Sequence, residues 1–317
     1  GRSAAIATAS EPARGSPDAR MAQAAEDVLF DARNNFHLGH YQSAITDANN
    51  AKVATDTWRA ERDVLMYRAY VEQGNSAVVM SEVGETSPPA VRAVRLLAMH
   101  KNADVAGKQA AVAGLHELLA EPGAASNAPL CVVAACVFCA EKDYKEALKV
   151  NQQAQTLEQH AMVTHVYVCM NRIDLAEKQV ALMQRVDDDA TLTQLAAAEV
   201  MLGKGSAKAQ DALYIYQDLS EKYGPSTLLL NNLAACNMLL GKFDDAEHNL
   251  GEALSKSATD PTTLANALVC MQHLKKAPEV IARNVTQLRT SAPTHPWVEA
   301  YESHDRSFDR FAAQFSR

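Results

Sequence analysis

The sequence has 317 residues, a formal net charge of −8, 48% hydrophobic content and only 6% aromatic content. A long chain rich in small apolar residues fits stacked helices better than a β-sandwich or a single compact core. The acidic balance, with no Lys/Arg run longer than two, argues against a nucleic-acid surface built on clustered positive charge, and no apolar stretch approaches the ~20 residues a membrane-spanning helix requires.

Residues 1–25 hold many Ala with Ser, Pro and Gly and no apolar period, so they are expected to be a disordered N-terminal tail. Arg2, Arg14 and Arg20 against Glu11 and Asp18 give them a faint look of a transit peptide. Met21 lies just before the first helical pattern, so the expectation is a native start near it, or a tail over residues 1–20. The folded part is expected over residues 26–317.

From there helix pairs follow one another. Gly39, Tyr41, Ala44, Ala48 and Ala51 form the first series at helical spacing. A weak unit covers residues 91–122 around Ala113, with a first helix expected over Val91 to Lys101. Tyr144, Ala147, Asn151 and Ala154 mark the next series, then Ile173, Ala176, Val180 and Met183, then Ala209, Ala212, Tyr216 and Leu219. The clearest unit runs from Pro225 to Pro261. Its first helix, Ser226 to Leu240, ends at Gly241, and Phe243 and Ala246 open the second. Ala277, Val280, Asn284 and Gln287 form the last series, and a C-terminal capping helix is expected around residues 295–316, solvated over Ser303 to Arg310.

One small apolar residue recurs through these series. Ala44, Val79, Ala113, Ala147, Ala176, Ala212, Ala246 and Val280 are separated by 35, 34, 34, 29, 36, 34 and 34 residues. That is the period of a tetratricopeptide-type array, where a small residue lets the two helices of a unit approach closely. Pro89, Pro122, Pro225, Pro261 and Pro293 punctuate the units. The predicted fold is therefore all-α: a tetratricopeptide-like right-handed helical solenoid of about eight helix-turn-helix units plus a C-terminal helix. Such a ribbon offers a concave binding surface and seldom a catalytic cleft.

Candidate chemistry is sparse. The six cysteines include Cys136-x-x-Cys139, without the second pair a zinc ribbon needs, inside the apolar run Leu130 to Phe138. Buried, reduced cysteines are the expectation. The ten histidines show no metal spacing on one helix, and His37 and His40 are expected in an exposed turn around Gly39. Asp187, Asp188 and Asp189 read as a helix start with Asp189 or Thr191 as N-cap, not as a calcium loop. Gly203-Lys204-Gly205 reads as an inter-helix turn. No enzyme, metal or cofactor is predicted.

The repeat phase names the inward positions of each first helix. The fifth positions are Leu29, Val64, Ala98, Val132, Ala161, Ala197, Asn231 and Ala265. The ninth are Arg33, Arg68, Asn102, Cys136, His165, Met201, Ala235 and Val269. Repeat domains that clamp a chaperone's C-terminal carboxylate have Lys and Asn at these places, and this chain has no Lys there. The mostly apolar lining suits burial of a protein partner.

Several segments go beyond the generic repeat. Glu26 to Phe36, EDVLFDARNNF, followed by LGHY to Tyr41, resembles the opening of the epsilon subunit of coatomer. ERDVLMYRAY from Glu61 to Tyr70 is similar to the same family. So are DDDATLTQLA from Asp187 to Ala196 and the block from Leu213 to Glu247. HPWVEAY from His295 to Tyr301, with Phe308, Asp309 and Arg310, resembles its last helix. The resemblance implies a non-catalytic subunit of the COPI coat that binds the C-terminal region of the coatomer alpha subunit, in Golgi-to-ER and intra-Golgi transport. It implies a place in the cytoplasm, at the cytoplasmic side of the Golgi membrane and on COPI-coated vesicles. Other coatomer subunits would be reached indirectly, nucleic acid not at all, and the membrane only through the coat. Arg33, Phe36, Val64, Arg68 and Val71 are the inward residues expected to meet the partner; Tyr67 and Tyr70 are expected to pack within their unit. The alternatives are a tetratricopeptide co-chaperone or targeting receptor, and a helical-repeat subunit of an enzyme such as a protein prenyltransferase.

Overall fold

The computed structural model describes residues 27–315; the expected tail over residues 1–25 lies outside them. Among the described residues there are seventeen α-helices, two short 3-10 turns and no strand. The helices pair as α1 (Phe30–His37) and α2 (Tyr41–Asn50), α3 (Asp56–Glu72) and α4 (Ser76–Glu82), α5 (Pro89–Asn102) and α6 (Val105–Ala120), α7 (Ala128–Ala140) and α8 (Tyr144–Val150). The series continues with α9 (Leu157–Cys169) and α10 (Ile173–Val186), α11 (Thr191–Gly203) and α12 (Ala209–Tyr223), α13 (Thr227–Leu239) and α14 (Phe243–Lys256), α15 (Pro261–His273) and α16 (Pro278–Ser291), and ends with α17 (Pro296–Phe315). This is a tetratricopeptide-like solenoid. Among the described residues no helix is long and apolar enough to cross a membrane.

Local chemistry sets the helix starts. Thr55 accepts from the Trp58 amide at 3.3 Å, Asp104 from Gly107 at 2.9 Å and Asp260 from Thr263 at 2.8 Å. Thr156 and Gln159 form a capping box at α9. Each such cap contributes about 0.5–2 kcal/mol by satisfying an orphan amide. Pro89, Pro261, Pro278 and Pro296 open helices, where their missing N–H costs nothing.

Six of the eight recurring small residues are fully buried: Ala44, Val79, Ala147, Ala176, Ala212 and Ala246. Two expectations fail. Ala113 is exposed, and Ala111 takes the buried place, with Gly114 against the Leu96 side chain at the α5–α6 crossing. Val280 is also exposed; Ile281, Val285 and Leu288 carry the apolar stripe of α16. In both units the helix has turned relative to the strict period, so the close approach falls on a neighbouring residue. The largest core cluster spans α3 to α9 around Phe138, Leu115 and Leu130.

The C-terminal helix is seated through Val298, and Trp297 stacks on Tyr301 at 5.2 Å between centroids. The expected solvated cap carries more apolar surface than its polar stretch suggested: Phe308, Phe311 and Phe315 are all exposed.

Candidate functional site

The chain's own first helix reaches across to distant units. α1 packs against α2 and α3 and also touches α11. The turn after α1 locks onto the turn before α13: Ser226 Oγ donates to the Leu38 carbonyl at 2.5 Å, and His40 Nε2 donates to the Gly224 carbonyl at 3.2 Å. Gly39 sits between these bonds in the left-handed region, φ +82°, and a Cβ there would lie 2.8 Å from Leu228 Cβ. The solenoid therefore closes on itself, with its N-terminal pair seated on helices nearly two hundred residues later. His37 and His40 are partly buried, not exposed, because this closure covers their turn.

Beside the closure, Arg68 of α3 reaches Glu158 of α9 at 2.6 Å, and its guanidinium lies 4.6 Å from the Phe36 ring centroid. Burial alone would raise the Glu158 pKa, but Arg68, His37 and Arg33 outweigh it and hold the carboxyl below its ordinary value. Burial opposes charge on Arg68 too, and Glu158 more than offsets it. His37 is pushed down to about 4, chiefly by burial, with Arg68 and Arg33 adding to the effect and Glu158 opposing it.

These contacts decide what the five expected partner residues touch. Phe36 packs with Ala32, Ala44, Ile45 and Ala69. Val64 and Val71 lie 3% exposed in the main core. Arg68 is held by Glu158 and Phe36. Arg33 alone of the five keeps an open side, with its guanidinium on Asp27 at 2.6 Å and Glu61 at 3.3 Å and 5.9 Å from the Trp58 ring centroid. Tyr67 does stay within its unit, donating to Glu82 of α4 at 3.1 Å.

Two cavities flank the closed N-terminal pair. One, of about 970 Å³, is lined by Phe30, Arg33, Glu61, Glu158, Asp187 and Tyr223, where several first helices begin. The other, of about 1080 Å³, is lined by Tyr41, His165, Glu199, Tyr216, Asn231 and Asp260, among others. Asn231, an inward position, accepts from Asn266 at 3.0 Å and donates to Thr263 at 2.7 Å, so it ties α13 to α15.

The acidic run at 187–189 is a helix entry of a different kind from the one expected. Asp187 Oδ1 accepts from the amides of Asp189 and Ala190 at 3.1 and 3.0 Å, and Ala190 holds the N-cap position of α11. Lys204 pairs with Glu177 in the turn expected there.

The cysteines divide. Cys131, Cys236 and Cys270 are buried, Cys136 and Cys139 only half-buried, and Cys169 exposed. Cys136 faces Met162 at 3.8 Å, whereas Cys139 faces Cys169 and His165 across the next unit. The uniformly buried set expected from sequence is thus corrected: helix ends at the inner rim leave these thiols open. The spacing of His165 and Cys169 on one helix was a legible signal; Cys139 joins them only through the stacking of units.

A sequence profile for the family described as coatomer epsilon subunit matches residues 25–316. Coatomer subunit epsilon-1 of Arabidopsis thaliana is 40% identical over 293 residues, covering 92% of this chain and 99% of that protein. Coatomer subunit epsilon of Dictyostelium discoideum is 30% identical over 298 residues, covering 92% and 99%. Among solved structures, the APC/C hetero-tetramer Cut9-Hcn1 aligns with a TM-score of 0.58 at 14% identity, over 88% of this chain and 55% of that one. A tetratricopeptide repeat protein from Parabacteroides merdae aligns at 0.56 and 12% identity, over 76% and 96%. At such identities the structural likeness is one of fold.

Proposed function

This chain belongs to the coatomer epsilon-subunit family, and we propose that within the COPI coat it is a non-catalytic scaffold that binds and stabilises the C-terminal region of the alpha subunit in Golgi-to-ER and intra-Golgi transport. The observation that carries this reading is the family match across nearly the whole described chain. The closed solenoid supports it: a preorganised scaffold loses little conformational entropy on binding. The partner enters from the cavity edged by Phe30 and Arg33, where an exposed aromatic ring lies beside a guanidinium. Phe36, Val64, Arg68 and Val71 contribute by holding the shape of that edge. Membrane attachment, at the cytoplasmic side of the Golgi, runs through the other coat subunits.

The test is co-purification. The full chain is tagged in cells and its partners are identified with and without Arg33→Glu. Wild type should recover the alpha subunit, and the variant should recover clearly less at a temperature where its circular dichroism shows it fully folded. Recovery of chaperones or an enzyme subunit without coatomer would overturn the assignment. Undiminished alpha-subunit recovery by the variant would move the contact away from this cavity.

A further inference from the structure

Cys139 lies in the last turn of α7, and Cys169 ends α9, the equivalent helix of the next unit. Stacked units set their first helices side by side, so these two C-terminal turns come together. His165 stands one turn before Cys169, and i, i+4 spacing places both on one face. The two Sγ atoms and a His165 ring nitrogen lie within 4.8 Å of one another. Cys169 Sγ is 3.5 Å from His165 Nε2. In a tetrahedral site with Zn–S near 2.3 Å and Zn–N near 2.0 Å, neighbouring ligand atoms are about 3.5–3.8 Å apart. A small rotamer adjustment converts the one arrangement into the other.

The second ring nitrogen adds an independent observation. His165 Nδ1 donates to Glu199 Oε1 of α11 at 2.5 Å. That bond keeps a proton on Nδ1 and turns Nε2 towards Cys169, so Nε2 is the nitrogen a metal would take once its own proton leaves. A carboxylate behind an imidazole in this way is the usual support of a metal-bound histidine. Two thiolates and an imidazole form a soft donor set, which suits Zn²⁺ and not the oxygen-seeking Mg²⁺ or Ca²⁺.

We propose that Cys139, Cys169 and His165 form a zinc site, with Glu199 orienting the imidazole and a water from the cavity as fourth ligand. Zn²⁺ takes the place of two protons shared among Cys139, Cys169 and His165 Nε2, and those two are released, while the Nδ1 proton stays on its bond to Glu199. The bound ion joins α7 to α9 directly and, through Glu199, to α11. Three successive units are then fixed at the inner rim. The site stands independently of any alpha-subunit contact, since none of its ligands belongs to the Phe30–Arg33 edge.

The full chain, purified reduced and metal-free, is titrated with Zn²⁺ by calorimetry and with Co²⁺ by absorption. The expected result is one ion per chain, two protons released, and a thiolate-to-cobalt charge-transfer band with tetrahedral d–d bands. Cys169→Ser and His165→Ala should each abolish those bands and lower zinc affinity at least ~100-fold. Glu199→Gln should keep the bands and weaken binding about 10–100-fold. Cys136→Ser, whose thiol faces Met162, should bind as wild type. Zinc should raise the melting temperature of wild type but not of Cys169→Ser, whose metal-free melting should match wild type. The proposal is overturned if the reduced chain binds no stoichiometric zinc, or if Cys169→Ser and His165→Ala bind as wild type. It is also overturned if thiol-blocked protein from cells carries a Cys139–Cys169 disulfide, which would make the pair a redox couple.

Discussion

Arg68 and Glu158 meet at 2.6 Å although their helices, α3 and α9, stand three units apart along the solenoid. Their side chains are 11% and 27% exposed, so each charge depends on the other for most of its solvation. Removing one partner strands a buried charge. Arg68→Ala should therefore cost about 2–4 kcal/mol, the lower value reflecting the water still open to Glu158. Replacing both, as Arg68→Met with Glu158→Leu, should recover much of that loss, because apolar substitutes need no solvation. Urea unfolding followed by circular dichroism reads both. A double variant as weak as the single one would assign the cost to lost packing on Phe36 instead.

His37 gives the closure a pH dependence. Its folded pKa is pushed down to about 4 by burial, against an ordinary value of 6.5. Above that ordinary value the ring is neutral in both states and contributes nothing to the pH slope. As pH falls from 6.5 towards 4 the unfolded chain takes up a proton that the folded chain refuses, so stability drops. A shift of this size corresponds to about 3 kcal/mol at full effect, and the half-buried ring makes roughly 1–2 kcal/mol the realistic loss by pH 5. The depressed Glu158 pKa acts in the same direction at lower pH: its contribution is present above the unfolded value and is lost as pH falls through the folded one. Comparing urea midpoints of wild type and His37→Gln from pH 7 to pH 5 isolates the histidine. The variant should show the shallower fall; parallel curves would remove His37 from the account.

Two glycines separate backbone strain from closure. Gly39 and Gly241 both have positive φ, +82° and +75°, but only Gly39 has a neighbour where a Cβ would go. Gly241→Ala should cost about 1 kcal/mol, the usual left-handed penalty. Gly39→Ala carries the same penalty and also pushes Leu228 and Ser226 away, so roughly 2–4 kcal/mol is expected. Hydrogen exchange provides the sharper reading. Amides near residues 38–40 and 224–228 should exchange faster in Gly39→Ala and unchanged in Gly241→Ala.

The same glycine marks the limit of sequence reasoning. Helix pairs repeat because their packing is local, and the buried Ala44, Ala147 and Ala246 could be phased from spacing alone. Ala113 and Val280 missed because a helix can shift its contact by one or two positions, presenting Ala111 in the one case and Ile281 in the other to its partner. The inward phase picked out Arg33 and His165, which line the two cavities, and Arg68, which reaches across to Glu158. It could not show that Arg68 would be answered by Glu158, or that Leu38 would bond Ser226. Those contacts depend on curvature accumulated over several units, and a small change in rotation per unit would separate them. Cys139 illustrates the same point: its pairing with Cys169 is set by the alignment of α7 and α9, not by the Cys-x-x-Cys motif.

The last helix supplies a prediction about assembly. Phe308, Phe311 and Phe315 are 70%, 55% and 85% exposed, and Tyr301 lies on the same face one or more turns earlier. Helical spacing of seven, three and four residues aligns these rings in a single stripe. Because they contact little in the chain itself, replacing Phe308 and Phe311 by Ser should change folding stability by no more than about 0.5 kcal/mol each. At an interface each ring can contribute about 1.5–3 kcal/mol on burial, so the double variant should weaken retention of the alpha-subunit region at least ~10-fold if the stripe is covered in the coat. Wild-type retention would instead confine the contact to the Phe30–Arg33 edge, and a lowered melting temperature would show that the rings serve the fold.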